Sequence, residues 1–260
     1  MAIEGNGIRD RLKVACGCAL ALVGCLGGGA AHATPFDINV IFGGGLTPSQ
    51  QAVFTQAEAT WEGLIPGYQT GISIPSLDIN ASGVAIDGVG GTLGQAGPTW
   101  GVFQGGFNIS TVGLMEFDSD DVTWLENTGR LLDVIMHEMA HVMGFGTLWE
   151  WNGVYVSGTG QYIGAAALAA YQWEFDPMAT FVPVELDGGP GTANGHWDEG
   201  WAGGSNALMT GYLSASNVIT DTTVASFIDI GYVPEPNTAL LVGLGLAGLG
   251  LRRRSLRKGA

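Results

Sequence analysis

The segment His137-Glu138-Met139-Ala140-His141 constrains this chain more than any other feature. On an α-helix, histidines four residues apart share a face, with their rings about one turn apart. The chain has 4 histidines, and His32 falls in its N-terminal leader. The remaining three, His137, His141 and His196, match a set of three neutral imidazoles that holds Zn²⁺ and leaves one coordination position open. The fold must therefore provide a buried helix for the first pair and bring a distant residue back to it.

Local signals place that helix. Thr128 reads as an N-cap, and Leu131, Leu132, Ile135, Met139 and Val142 form an apolar stripe that runs to Met143 or Gly144. Gly144 permits the helix to stop and the chain to turn. Upstream, Phe36–Phe42 alternates as a strand closed by three glycines. Thr47-Pro48-Ser49-Gln50 is a capping box that opens an amphipathic helix of about 17 residues, with Val53, Phe54, Ala57, Trp61 and Leu64 at helical spacing. One or two short strands are expected in Ile72–Ile86, a glycine-rich loop in Asp87–Pro98 and a strand over Asn108–Phe117. The loop lacks the spacing of a dinucleotide-binding turn.

Both ends of the chain read as addresses. Arg9, Arg11 and Lys13 precede an apolar run ending in Ala31-His32-Ala33, the pattern of a signal peptide over residues 1–33, with Thr34 as the first mature residue. Leu22-Val23-Gly24-Cys25 offers a competing lipobox that would lipidate Cys25. Cys16, Cys18 and Cys25 are the only cysteines, so the exported domain has no thiol or disulfide. At the far end, Val233-Pro234-Glu235-Pro236 precedes an apolar stretch and Arg252-Arg253-Arg254. That stretch is short of the roughly 20 residues a spanning helix needs. The order resembles the PEP-CTERM sorting signal of Gram-negative bacteria. The resemblance implies transient membrane anchorage through residues 237–251, processing by an exosortase-type enzyme, and release to the cell surface or exterior.

Between Thr34 and Pro236 lie 22 of the 24 acidic residues but only one of the 9 basic ones, Arg130. Such a surface repels nucleic acid, anionic lipid and acidic polysaccharide. These roughly 200 residues suffice for one domain with a sizeable core.

The chemistry explains the motif. Zinc on three imidazoles lowers the pKa of a bound water to about 7. Glu138, next to the first ligand, is placed to take that water's proton as general base and return it to a leaving amine. For the third ligand His196 is preferred, since Asn194-Gly195-His196-Trp197 reads as a loop able to return to the metal. Thr147, Glu150, Asp198 and Glu199 are the alternatives. In an ordinary metzincin the third histidine comes three residues after the helix glycine, and here that position is Thr147.

His-Glu-Met-Ala-His-x-x-Gly-Phe, a long insertion, His-Trp and a later Leu-Met-Thr resemble leishmanolysin and its bacterial relatives, a metzincin branch. The resemblance implies that His196 is a displaced third zinc ligand and that Met209 forms a methionine turn beneath the metal. It also takes in Gly146-Thr147-Leu148-Trp149 and Asp229-Ile230-Gly231-Tyr232. Ala207 departs from the family's usual glutamate, and the missing cysteines exclude the family's cysteine-based latency.

The expected fold is α+β and metzincin-like: a twisted mixed sheet with the active-site helix in an N-terminal half, residues 34–146, and a smaller irregular C-terminal half, residues 147–232, carrying the third ligand and Met-turn. Residues 233–260 form the sorting signal. The expected function is an exported zinc endopeptidase acting on proteins or peptides. The alternative is a non-catalytic surface or matrix protein with a structural zinc.

Smaller expectations complete the reading. Tyr212 is rejected as an oxyanion donor because it lies three residues after Met209. Trp149, Trp151, Trp197 and Trp201 either wall a specificity pocket or build core. Asp118–Asp121 could bind calcium, but it lacks the glycine and terminal glutamate of an EF-hand loop, so a solvated turn is preferred. Arg130 is expected to pair with Asp133 or with an acid in the stretch Asp118–Glu126.

Overall fold

The computed structural model describes residues 34–234. The predicted leader over residues 1–33 and the stretch 237–251 expected to anchor in a membrane lie outside the described residues. In chain order the elements are β1 (Ile38–Gly44), α1 (Pro48–Leu64), β2 (Gly67–Tyr68), β3 (Leu77–Val84), β4 (Gly94–Gln104), β5 (Phe107–Asp118), α2 (Val122–Asn127) and α3 (Leu131–Met143). There follow β6 (Gln161–Tyr162), α4 (Ala165–Glu174), β7 (Val182–Pro183), α5 (Asp221–Ser226), a 3₁₀ turn (Ile228–Ile230) and β8 (Tyr232–Val233). No helix among the described residues is long and apolar enough to cross a membrane.

The fold is α+β, built on a twisted mixed sheet of order β1-β3-β5-β4. The pairs β1–β3 and β3–β5 are parallel, and the edge strand β4 runs antiparallel to β5. Helices α1 and α3 pack on one face of this sheet. The other face carries polar pairs, with Asn39 donating to Asp78 and Gln95 to Glu116. This is the one-sided burial that an alternating strand pattern encodes.

Helix α1 starts as its sequence predicts. The Gln50 amide donates to Thr47 Oγ1, and the Thr47 amide donates to Gln50 Oε1, closing the capping box. Phe54, Ala57 and Trp61 are buried, and Trp61 Nε1 donates to the Met136 carbonyl at 3.0 Å, fastening α1 to α3. Helix α3 is buried on almost every side, as expected of a helix apolar well beyond one stripe. Gly113 on β5 lets it approach, because a Cβ there would collide with Val142.

Three sequence expectations are corrected. Strand β4 begins at Gly94, inside the stretch expected as loop up to Pro98; β5 supplies the ladder partner that local glycine content hides. The helix that carries His137 and His141 starts at Leu131 after Arg130, not at Thr128. Thr128 instead ends the unforeseen helix α2, its hydroxyl bonding the Trp124 carbonyl, and Gly129 at φ 72° breaks the two helices apart. Arg130 does not pair with an acid among the described residues. Its guanidinium lies over the Trp124 ring, 5.7 Å from the centroid, while Asp133 accepts from Asn217.

Residues 145–234 form few regular elements and are held by aromatic stacking. Trp149, Trp197, Trp201 and Tyr171 stack in sequence, with centroid separations of 5.1, 5.6 and 5.6 Å. Asp229 accepts from the Ala166 and Ala167 amides and the Tyr162 hydroxyl, capping α4 from across the fold. Tyr232 donates to the Met143 carbonyl, tying the end of the domain to the last turn of α3.

Candidate metal centre

Helix α3 presents His137 and His141 on one face, and the chain returns His196 to them from 55 residues beyond His141. The return path consists of three short crossings. Glu185 donates its amide to the His196 carbonyl and accepts from the Asn194 amide, Trp197 donates to the Met209 carbonyl, and Trp197 bridges Thr210 in parallel. His196 therefore rides the middle of three adjacent strand-like segments.

The three Nε2 atoms form a triangle with 3.0 Å on every side. Each Nδ1 faces a backbone carbonyl: His137 that of Leu208 at 2.7 Å, His141 that of Phe145 at 2.9 Å, His196 that of Thr192 at 2.8 Å. A carbonyl can only accept, so each Nδ1 carries the proton and each Nε2 presents a lone pair. Three lone pairs aimed at one another repel unless a Lewis acid lies among them. Zn–N bonds of about 2.0–2.1 Å at tetrahedral angles separate the nitrogens by about 3.3 Å, so the donor set fits zinc to within a few tenths of an ångström. The carbonyl contacts also fix tautomer and ring orientation, the usual task of partners behind metal ligands. Burial and the neighbouring His196 push the His137 imidazole down to about 3; burial likewise lowers His141 and His196.

Glu138 points into the same cleft but is not one of the clustered ligands. It is 6 % exposed, and burial pushes its carboxyl up to about 8. Gly94 at the start of β4 faces it, where a Cβ would come 3.1 Å from Glu138 Cγ. The cleft holds about 810 Å³ and runs along the β4 edge at Gly94, Gln95 and Ala96.

The other sequence-predicted residues separate clearly. Met209 is fully buried in a tight turn, Ala207–Thr210, whose Leu208 carbonyl orients His137. Among the alternatives for a third ligand, Thr147 donates to the His141 carbonyl, Asp198 accepts from the Gly200 amide and Glu199 from the Gly211 amide. Glu150 lies on the cleft wall, outside the cluster. Of the four tryptophans only Trp151, 73 % exposed, lines the cleft; the other three are core. Tyr212 lines it too, and is exposed.

The Asp118–Asp121 turn is a clamp rather than a solvated turn. Buried Asp118 accepts from the Asp120, Asp87, Gly88 and Ile86 amides, which hold its carboxyl below the usual range. Asp121 accepts from the Gly90 amide through both oxygens. Sequence reasoning missed Leu208, Phe145 and Thr192, which act through backbone carbonyls and leave no side-chain signal.

Comparison with known proteins adds one finding. Residues 233–254 match the PEP-CTERM protein-sorting motif. The motif marks an exported protein and is the recognition signal for exosortase processing at the C-terminus. It begins at the last residue of β8, where the described fold ends. No curated protein matches the chain.

Proposed function

We propose that this domain is an exported zinc endopeptidase of metzincin type, similar to leishmanolysin. The observation that carries the reading is the triangle of three Nε2 lone pairs beside a buried glutamate at the floor of an open cleft. His137, His141 and His196 would hold the ion, which when bound supplies Lewis acidity to a substrate carbonyl and acidity to a water.

The chain's own residues do the rest. Glu138 accepts a proton from the attacking water and delivers it to the leaving amine. Its buried carboxyl prefers the protonated form, and a cation among the imidazoles would favour the ionised form that a base requires. The free edge of β4 offers unpaired backbone groups along the cleft, which suits an extended peptide added as a further strand. Leu208, in the turn containing Met209, keeps His137 oriented.

A structural zinc is closed by four protein ligands. Among the described residues the ligand cluster ends at three histidines, with no fourth His, Cys, Asp or Glu in reach. That favours the catalytic reading over a metal staple.

The test is cleavage of casein by the purified protein before chelation, after chelation and after zinc is restored. Activity that is lost and regained supports the reading. Stoichiometric zinc with no cleavage of casein or of a peptide library would replace it with the staple.

A further inference from the structure

Asn194 is the only non-glycine among the described residues with a positive φ, 67°. Asparagine tolerates this conformation better than most side chains, but it still needs a reason to stay there. Asn194 lies two residues before His196, and its amide donates to the Glu185 carbonyl at 2.7 Å. Its side-chain oxygen accepts twice, from the Tyr155 hydroxyl and from the Gly158 amide, each at 2.7 Å. Both donors belong to the long segment between the second and third histidines. Tyr155 is itself fixed, buried with its ring edge-on to Trp149 at 5.9 Å.

Two donors on one carboxamide oxygen use both its lone pairs, so that oxygen is not available to a ligand. The contact instead pins the backbone turn that aims His196 at His137 and His141. Ordering a ligand before the metal arrives removes an entropic cost from binding. We propose that Tyr155 and Asn194 are positioning residues for the metal centre: the segment between the second and third histidines clasps Asn194 and thereby fixes the third ligand. The inference rests on the reading that the three histidines bind the metal.

Asn194→Gly keeps the backbone conformation accessible while removing the clasp. Tyr155→Phe removes one donor, and Asn194→Asp keeps an oxygen that both donors can reach. In the full chain, Zn²⁺ affinity is measured by chelator competition and the ligand set by the visible spectrum of Co²⁺-loaded protein. Melting in excess chelator reports folding separately.

Asn194→Gly is expected to weaken zinc binding about tenfold or more, the usual scale for groups that orient ligands. It should also alter the cobalt spectrum, with Tyr155→Phe intermediate and Asn194→Asp close to the parent. Tyr155→Phe in the Asn194→Gly background should add nothing further. Affinities within twofold of the parent and an unchanged cobalt spectrum would overturn the clasp. His196→Ala separates the two failures. If it loses the metal while the clasp variants keep it, only the clasp falls; if it binds as the parent does, the three-histidine reading falls first and the clasp with it.

Discussion

Gly146 packs directly against Gly195, the residue before His196. Its φ is 73°, and a Cβ placed there would lie 2.8 Å from Gly195 Cα and closer still to the Gly195 carbonyl oxygen. Carbon atoms pack at about 3.5 Å, so Gly146→Ala must drive the Gly195 backbone away by about 0.7 Å. His196 is the next residue. Metal–nitrogen bonds tolerate about 0.2 Å, so a shift of that size is incompatible with three nitrogens on one ion.

Gly153 supplies the control. Its φ is 70°, and nothing lies within 4 Å of the position its Cβ would take. Both alanine variants carry the left-handed penalty of about 1–2 kcal/mol. Gly146→Ala adds about 1–3 kcal/mol of overpacking. Its decisive effect should be a zinc affinity lower by about a hundredfold or more, beyond the 10–100-fold of an outer-shell change. Chelator competition measures the affinity, and urea unfolding of the metal-free proteins measures the shared strain together with the overpacking that only Gly146→Ala carries. If Gly146→Ala binds zinc within threefold of Gly153→Ala, the Gly146–Gly195 contact does not place His196 and the reasoning fails.

Other predictions follow from the same geometry. Removing the metal should lower the melting temperature: free zinc at a thousand times its dissociation constant contributes about 4 kcal/mol, or about 8–16 °C for a domain of this size, and a melting curve unchanged by chelator would contradict it. Trp197→Ala should cost about 3–5 kcal/mol in urea unfolding, because it empties the middle of the aromatic stack and breaks the bond from Trp197 Nε1 to Thr223 Oγ1; a loss below 1 kcal/mol would show that the stack does not hold the C-terminal half. Burial, reinforced by a hydrogen bond to Glu185, pushes Glu199 up to about 7. A carboxyl raised in the folded state stabilises below its ordinary value near 4.5 and loses that contribution as pH rises towards 7. Glu199→Gln keeps a donor for Glu185 and an acceptor for the Gly211 amide. Thermal melts in chelator should therefore show the parent losing stability relative to this variant between pH 4.5 and 7, and parallel curves would refute the assignment.

The parts of the centre legible in the sequence are those written in local spacing. His137 and His141 sit four apart, so their common face needs no tertiary information, and the α1 capping box forms with both of its bonds. His196 is brought to the pair, but no spacing marks a partner 55 residues away; the shortage of histidines, the loop-like Asn194–Trp197 stretch and the family resemblance pointed to it. What stayed hidden depends on distant partners. Gly94–Pro98 looks like loop until β5 pairs with it, and Gly94 makes room for Glu138. Arg130 suggested an ion pair because acids dominate its neighbourhood, yet the Trp124 face holds it. Asp118 and Asp121 suggested a hydrated turn, whereas the glycine-rich loop folds back and offers them its amides. Three of the four tryptophans near the ligands stack into core, a choice that composition alone cannot make.

The central claim is that Glu138 moves the proton at a zinc held by three histidines. It is tested most directly by the rate of peptide hydrolysis by Glu138→Gln at a zinc content equal to that of the parent protein. One zinc per chain is expected in both proteins, with a turnover lower by about 10²–10⁴ in the variant, the usual contribution of a positioned general base. Equal rates at equal zinc content would contradict it.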